Sequence, residues 1–306
     1  MSTIHNPMVS VVIPTYKRTV EYVSKAVESV LNQTYPNVEI VVIDDSTSAY
    51  DGRQNTENYF KTLNDPRVIY LQNEKNLGGS LSRNRGIENA NGEYITFLDD
   101  DDEYKPEKVE KQLRFMQDKG YEMTFTDLEI YTPDGKLVDY REFSDVESFD
   151  NEYLLRYHLQ KHLTGTPTFM YKAEKLREIG GFDVVKVGQE FHLMLKSILG
   201  SLNIGYFPEC YVKAYRHPDG GISGGMNKIN GEKALFEFKQ KFFDRLNKKE
   251  QRFVRFRYHA VLAAGYKRNN MYPQMIAECF KTVFSSPGDF VNEGLKFLKK
   301  VKSHKN

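Results

Sequence analysis

The sequence predicts an α/β fold with a mostly parallel central sheet, extended by a helical C-terminal region. Short apolar runs alternate with segments of helical periodicity over the first hundred residues, which is typical of βαβ units. Most of these runs are apolar at nearly every position, as expected for strands that helices cover on both faces. Beyond residue 227 only helical periodicity remains. The chain therefore combines a sheet-based part with an all-helical part.

Four strands and three intervening helices are predicted in the first hundred residues. The carboxyl ends of parallel strands meet at one edge of a sheet, and ligands of open α/β sheets bind outside that edge. The residues directly after each strand are therefore the first candidates for a functional site. The strands are expected at Val9–Pro14, Val38–Asp44, Arg67–Leu71 and Tyr94–Leu98, and the helices at 20–32, 55–63 and 80–89.

The rest of the chain mixes strands and helices and then becomes helical. Turn signals at Asn269-Asn270 and Ser286-Pro287-Gly288 separate the last helices. Strands are predicted at 122–131, 166–171 and 206–215, with helices at 153–160, 173–179, 190–199, 231–245, 248–267, 272–285 and 289–302.

The composition is that of a globular protein that needs no disulfide bonds. The chain has 306 residues, of which 40% are hydrophobic and 28% charged, and this excludes a disordered chain. Cys210 and Cys279 form no CxxC pair, which excludes a zinc ribbon and fits a reducing compartment. No apolar run reaches the roughly 18 residues that span a bilayer, and no signal peptide is evident. We therefore expect a cytoplasmic protein.

Charge is distributed unevenly and marks a domain boundary. Residues 228–306 hold 18 Lys and Arg against 7 Asp and Glu, a net charge of +11, whereas residues 1–227 carry −10. The change comes after the glycine-rich stretch 220–225, which predicts a loop. We expect a catalytic domain at 1–227 and a basic helical region at 228–306. Apolar residues alternate with Lys and Arg in 253–266 and 290–301, which suits a helix on an anionic membrane or, equally, one packed on the protein.

Polar and charged residues come directly after the predicted strands. No GxGxxG lies beyond the first strand and no GxxxxGK[ST] occurs, so phosphate would be held by cations. The segments at the four strand ends are, in turn, Pro14-Thr15-Tyr16-Lys17-Arg18, Asp44-Asp45-Ser46, Asn76-Leu77-Gly78-Gly79 and Asp99-Asp100-Asp101-Asp102.

The four consecutive aspartates are the most informative feature. Side chains alternate along an extended segment, so Asp99 and Asp101 face one way and Asp100 the other. Hard divalent cations prefer such oxygen ligands and leave positions open for phosphates. The run could instead be a solvated acidic turn ahead of a helix that begins near Pro106. Its place at the carboxyl end of a buried strand favours a metal and nucleotide site.

An ordered set of motifs runs along residues 9 to about 217. It consists of VSVVIPTY at 9–16, SVLNQTYP at 29–36, DDS at 44–46, NLGG at 76–79, RNRGI at 83–87, GEY at 92–94 and the aspartate run. Together these motifs resemble the inverting family 2 glycosyltransferases. The resemblance implies a glycosyltransferase-A fold, a nucleotide-diphosphate sugar donor and a Mg²⁺ or Mn²⁺ ion held by an Asp-x-Asp motif.

The resemblance assigns donor and metal roles to residues at these strand ends. Tyr16 offers a ring for stacking on the base, and Asp45 would accept a hydrogen bond from a uracil or thymine imide, since a carboxylate is acceptor-only. The metal ligands would be Asp101, Asp99 and His217. The residues expected at the donor are Pro14, Thr15, Tyr16, Asp45, Gly79, Arg83, Asp99 and Asp100.

The resemblance also implies a catalytic base. Family members usually carry a Glu-Asp pair before an apolar helix, and the corresponding stretch 188–196 has Gln189 at the Glu position and Glu190 at the Asp position. Glu190 would take the proton of the acceptor hydroxyl, because an inverting displacement needs a carboxylate opposite the leaving diphosphate. A glutamate in a first helical turn also interacts favourably with the helix dipole, so a purely structural role stays open.

The resemblance implies transfer of a sugar, hexosyl or N-acetylhexosaminyl, from a UDP- or dTDP-linked donor to a carbohydrate acceptor. In similar bacterial enzymes the acceptor is commonly a lipid-linked oligosaccharide destined for capsule or another surface polysaccharide. A sugar-nucleotide nucleotidyltransferase and a non-catalytic module that binds sugar nucleotides or lipid are the alternatives. No nucleic-acid partner is expected, because the acidic first domain repels phosphate backbones.

Overall fold

A computed structural model describes residues 6–163, 165–216 and 225–303, with side chains as far as residue 295. The chain divides into two compact units. One comprises Met1–Asn151 and Leu163–His217, and the other comprises Glu152–His162 and Pro218–Asn306. The second unit thus joins a helix from the middle of the sequence to the C-terminal helices. In the described part of the chain, no helix is both long and apolar enough to cross a membrane.

The first hundred residues form the predicted alternation of strands and helices. Neighbouring strands are all parallel, in the spatial order β3-β2-β1-β4, so their carboxyl ends share one edge. The elements are β1 (Val9–Thr15), α1 (Val20–Leu31), β2 (Val38–Asp44), α2 (Gly52–Leu63), β3 (Val68–Gln72), α3 (Gly79–Asn89) and β4 (Tyr94–Phe97).

The sheet continues beyond β4 with mixed strand directions. The further elements are β5 (Glu103–Tyr104), α4 (Lys108–Lys119), β6 (Met123–Tyr131), β7 (Leu137–Arg141), β8 (Met170–Lys172), α6 (Ala173–Glu178), α7 (Gln189–Leu199) and β9 (Ile204–Tyr215). β8 is antiparallel to both β4 and β6, and β6 runs parallel to β9. β5 and β7 add short antiparallel pairs to β9 and β6. The parallel half of the sheet therefore carries the predicted ligand edge, and the mixed half extends it.

Helix α1 shows why the parallel half is rigid. Its buried residues Val23, Ala26, Val27 and Val30 have the i, i+3, i+4, i+7 spacing of one helix face. They belong to one core cluster with the buried side chains of β1 and β2. Burying each of the larger side chains contributes roughly 1.5–3 kcal/mol, so the strand ends project from a stable frame.

One predicted strand is only partly correct. The sequence predicts a strand over 166–171, but Thr166–Thr168 forms a 3₁₀ turn and only Met170–Lys172 is a strand. Pro167 has no backbone N–H for a sheet, and the Thr168 amide donates to the Gly165 carbonyl over 2.8 Å. The 3₁₀ turn therefore forms although its two β-branched threonines favour an extended backbone.

The second unit is helical. Its elements are α5 (Asn151–Lys161), α8 (Gly225–Gln240), α9 (Lys248–Arg268), α10 (Tyr272–Ser285) and α11 (Pro287–Ser303). Asn247 and Glu250 form a reciprocal capping box at the start of α9, and this satisfies amides that the first helical turn leaves unpaired. Arg156 of α5 donates to Glu250 Oε1 over 2.5 Å, which ties α5 to the C-terminal helices.

Candidate functional site

The aspartate run lies in a turn between β4 and β5, at the edge where the parallel strands end. The Asp102 amide donates to the Asp99 carbonyl over 3.1 Å, which closes the turn. Tyr104 anchors the far side of the turn, since its amide donates to Ser29 Oγ over 3.1 Å and its hydroxyl donates to the Phe97 carbonyl over 2.5 Å. The carboxylates of the run are therefore held in place by the sheet and by α1.

Two arginines hold three of the four carboxylates. Arg18, three residues beyond β1, donates from Nε to Asp100 Oδ1 over 3.2 Å and from Nη2 to Asp101 Oδ2. Arg83 of α3 donates from Nη2 to Asp99 Oδ1 over 2.5 Å. The Asp99 side chain is 36% exposed and that of Asp101 is 16% exposed, so both can be reached from solvent. The turn thus offers carboxylates whose outer faces can still meet a ligand.

Carboxylate charge in this turn exceeds what the two arginines offset. Burial, together with the neighbouring charge of Asp101, raises the pKa of Asp100 to about 7. Burial and the charges of Asp99 and Asp101 also raise the pKa of Asp102 well above its usual range, even though the Tyr215 amide donates to Asp102 Oδ1 over 2.9 Å. Mutual repulsion of this kind is relieved by added positive charge.

The donor set of the turn fits a hard divalent cation. Asp99 and Asp101 supply the oxygen ligands that Mg²⁺ and Mn²⁺ prefer, and the excess negative charge favours a cation there. Among the residues that the structure describes, no three His, Cys, Asp or Glu side chains converge as a ready-made metal site. The predicted ligand His217 lies outside the described residues. The set of metal ligands therefore stays a prediction.

Asp45 organises the loop that leads into α3. Its Oδ1 accepts from Asn73 Nδ2 and from the Leu77 amide, both over 2.7 Å. Its Oδ2 accepts from Asn76 Nδ2 and from the Gly78 amide, both over 2.8 Å. Gly78 has a φ of +85°, which glycine adopts at little cost. These bonds fill the acceptor positions of the carboxylate, so the predicted contact with a base imide requires one of them to open and stays a prediction.

The end of β1 presents one exposed aromatic ring. Tyr16 is 38% exposed, and Lys17 Nζ lies 5.4 Å from the centroid of its ring. Thr15 is buried and forms a side-chain hydrogen bond with Asp100, while Pro14 is partly buried within the strand. Among these residues of the strand end, Tyr16 therefore has the ring that is open to solvent, and its stacking on a base stays a prediction.

Arg83 links the aspartate turn to α7. Its Nη1 donates to Gln189 Oε1 over 2.8 Å, while its Nη2 holds Asp99. Gly188, with a φ of +80°, ends the loop before α7, and Glu190 lies in the first helical turn. One guanidinium thus ties the helix end that carries the candidate base to the predicted donor site.

Glu190 is half-buried at that helix end. Within the described residues its carboxylate has no hydrogen-bond or ion-pair partner. The position near the start of α7 is favourable for a negative charge because of the helix dipole. A carboxylate that is held near the site but not used by the protein can accept a proton from a bound hydroxyl.

Gly79, at the start of α3, makes the Arg83–Gln189 contact possible. A Cβ atom at this position would lie 3.0 Å from Arg83 Nη1 and 3.2 Å from Gln189 Oε1. We expect Gly79→Ala to lower kcat/KM about 10-fold, because it displaces both side chains by tenths of an ångström. The thermal midpoint should change little, since only the ends of flexible side chains must shift.

The matched control for Gly79→Ala is Gly294→Ala. Gly294 is also helical, and a Cβ there meets nothing within 4 Å. Steady-state kinetics and thermal melts of both variants test the contact. Wild-type kcat/KM in Gly79→Ala would show that the Arg83–Gln189 contact does not serve turnover.

Arg18 and Asn73 join the site without having been assigned a role from sequence. Arg18 contacts residues 82 and 83 positions away, so sequence spacing alone does not reveal the contact. Its place in the polar segment after the first strand was the available signal. Asn73 is buried, lies directly after β3 and shares Asp45 with the loop before α3.

Two curated relatives are similar to this chain, one over most of its length and the other over less than half. WcaA of Escherichia coli, named for glycosyl transfer in colanic acid biosynthesis, is 27% identical over 260 residues, which cover 82% of this chain and 88% of WcaA. TuaG of Bacillus subtilis, named for glycosyl transfer in teichuronic acid biosynthesis, is 36% identical over 134 residues. That match covers 44% of this chain and about half, 51%, of TuaG.

Two solved structures share the architecture. S. aureus TarS 1–349, in complex with UDP-GlcNAc, superposes with a TM-score of 0.58 at 18% identity. The match covers 90% of this chain and 91% of the TarS chain. The mannosyltransferase PcManGT of Pyrobaculum calidifontis, in complex with GDP-Man and Mn²⁺, gives 0.60 at 14% identity and covers 92% and 89%. The glycosyltransferase-A fold expected from the resemblance is thereby confirmed.

The family model described as glycosyl transferase family 2 matches residues 10–180, more than half of the chain. The matched segment contains the end of β1, the Asp45 loop, Arg83 and the aspartate turn. The chain therefore belongs to glycosyl transferase family 2.

Proposed function

We propose that this protein is an inverting, metal-dependent glycosyltransferase that uses a UDP- or dTDP-linked sugar. The observation that carries the proposal is the bridge from Asp99 through Arg83 to Gln189. It connects the carboxylate turn, which suits a diphosphate with its cation, to the helix end that carries Glu190. A donor-binding group and a proton-accepting group would then be able to act on the same reacting centre.

The donor would lie along the edge where the parallel strands end. Tyr16 would stack on the base, and Asp99 would face the ribose and sugar. Asp100, expected at the donor from the sequence, is buried and would instead support the turn through Arg18. A divalent cation held by Asp99 and Asp101 would neutralise charge on the diphosphate as it leaves. Arg18 and Arg83 already lie against these carboxylates, and they would add positive charge close to the phosphates.

Glu190 would act as the general base. In an in-line displacement at the anomeric carbon, the acceptor oxygen attacks from the face opposite the diphosphate and loses its proton as the new bond forms. No described residue pairs with the Glu190 carboxylate, so it would be available for this step, and Gln189 beside it is fixed by Arg83. The neighbouring amide would thus limit how far the start of α7 can move.

The acceptor would be a carbohydrate, and a lipid-linked oligosaccharide is the class we propose. Support comes from the names of WcaA and TuaG, which refer to colanic and teichuronic acid biosynthesis. A single hexosyl or N-acetylhexosaminyl unit would be added per acceptor in the assembly of a surface polysaccharide. The reaction would take place in the cytoplasm, where nucleotide sugars are made.

The test is release of nucleoside diphosphate from a panel of UDP-, dTDP- and GDP-sugars, with and without Mn²⁺. We expect slow Mn²⁺-dependent release of UDP or dTDP from one sugar, and faster release when the acceptor is present. Pyrophosphate formed from a nucleoside triphosphate and a sugar phosphate would instead identify a nucleotidyltransferase. Tight binding without any turnover would identify a non-catalytic module.

A further inference from the structure

Helix α10 exposes a row of large apolar side chains, whereas an ordinary surface helix buries most of them. The buried residues of α10 are Glu278 and Thr282, which are polar. Four of its exposed side chains are large and apolar and recur at every fourth position, so they line one side of the helix. We call them the apolar row: Tyr272 is 54% exposed, Ile276 50%, Phe280 59% and Phe284 79%.

A polar contact with α9 fixes this orientation. His259 Nδ1 of α9 lies 2.6 Å from Glu278 Oε2, and Lys281 Nζ, within α10 itself, donates to Glu278 Oε1 over 2.7 Å. Burial alone would raise the pKa of Glu278, but the hydrogen bonds from Lys281 and His259 outweigh it and hold the pKa below its usual value. Turning the apolar row inward would break the contact between His259 and Glu278 and leave polar groups unpaired. The row is therefore held outward by the fold.

Helix α11 adds to the exposed apolar surface. Phe290, Val291 and Leu295 are each about half exposed, at 47%, 57% and 53%. Contiguous exposed apolar surface on a globular protein usually marks an interaction site. The segment from Tyr272 to Leu295 is thus a candidate docking surface.

The charge of the helical region indicates what the surface meets. Residues 228–306 carry a net charge of +11. The docking surface itself holds one Lys against three Asp and Glu, and the basic residues nearest in sequence flank it at 267–268 and 296–305. A second copy of the chain would bring two such regions together, and their like charges would oppose the contact. An anionic lipid surface attracts the same charge and accepts aromatic side chains at the level of its headgroups. We propose that the apolar row of α10 docks on the surface of an anionic phospholipid bilayer.

The structure decides between the two alternatives that the sequence leaves open for residues 253–266. The pattern of 253–266 suits an apolar face on lipid, but Val254, Phe256, Leu262 and Tyr266 of α9 are buried, as the alternative of packing on the protein requires. Leu262 and Tyr266 form a cluster with Ile229 of α8, so α9 is the centre of the helical unit. The docking surface lies on α10, one helix further along the chain.

Co-sedimentation with vesicles tests the proposal on the full chain. The vesicles are phosphatidylcholine alone and phosphatidylcholine mixed with phosphatidylglycerol. We expect binding to the mixed vesicles, weakened by added salt, and a loss of about 10-fold or more in the double variant Phe280→Ser/Phe284→Ser, since two large apolar side chains no longer enter the headgroup layer. The control Leu137→Ser removes an exposed apolar side chain of β7, 44% exposed, and should bind as wild type does.

A fluorophore on Cys279 reports on the same face directly. Cys279 is exposed on α10, and Cys210 is replaced by Ser so that one thiol is labelled. We expect a blue shift on adding the mixed vesicles and none with phosphatidylcholine alone. A blue shift without vesicles that accompanies a dimer in sedimentation velocity would assign the row to self-association and overturn the proposal. Failure of the full chain to bind the mixed vesicles, or equal binding by the double variant, would overturn it as well.

Discussion

Glu190→Gln lowers turnover by about 10² to 10⁴-fold and leaves donor affinity near the wild-type value. The amide keeps the size of the side chain but cannot accept the proton of the acceptor hydroxyl. Since Glu190 makes no hydrogen bond or ion pair with the described residues, the change should leave the start of α7 and the Arg83–Gln189 contact intact. Steady-state kinetics with a saturating acceptor, beside calorimetric titration of UDP, separates turnover from binding.

Two further variants sharpen the Glu190 test. Glu190→Asp keeps the carboxylate with one methylene less, so it should retain more turnover than Glu190→Gln. Glu178→Gln is the matched control, because this α6 side chain is 60% exposed and paired with Lys175 away from the aspartate turn. Equal turnover in Glu190→Gln and Glu178→Gln would remove Glu190 from the reaction and point to another base.

The first hundred residues were predictable because each strand is an apolar run bounded by polar residues. The bounds of β2, Val38–Asp44, agree with the sequence prediction, since seven consecutive positions are buried there. β7 was not predicted, because Leu137–Arg141 is exposed or half-buried and lacks the apolar content of a core strand. β5 has two residues and no recognisable pattern. Strands are thus readable from sequence where burial dictates composition.

Contacts within the candidate site were less accessible from sequence. The parallel topology explains why polar residues collect at the carboxyl ends of β1, β2 and β4. Arg83 bridges Asp99 and Gln189, and Gln189 lies 106 positions from Arg83 along the chain. This bridge depends on how α7 packs after β8, which is antiparallel to β4. The hydrogen bonds of Asp45 were also inaccessible from sequence, because its carboxylate accepts from backbone amides that sequence spacing cannot place.

Asp101→Ala abolishes the Mn²⁺ dependence of UDP binding and lowers turnover on the order of 10³-fold, because the leaving diphosphate loses charge stabilisation worth several kcal/mol. Asp101 lies on the accessible side of the turn, where its partner is Arg18. In the variant, Arg18 keeps its contact with Asp100, 3.2 Å long. Calorimetric titration of UDP with Mn²⁺ and with EDTA measures the first effect independently of turnover.

The fold should survive Asp101→Ala, for an electrostatic reason. The charge of Asp101 is among the causes that raise the pKa values of Asp100 and Asp102, so its removal relieves repulsion in the turn. The lost ion pair with Arg18 is partly exposed and contributes little stability. We therefore expect a thermal midpoint close to that of the wild type without metal, and a smaller rise of the midpoint than in the wild type when Mn²⁺ and UDP are added.

The control is Asp134→Ala, at an exposed position of the β6–β7 turn, and its thermal midpoint should rise as much as that of the wild type. If Mn²⁺ still raises the UDP affinity of Asp101→Ala as much as it raises that of the wild type, then the cation is held elsewhere and the aspartate turn has only a structural role.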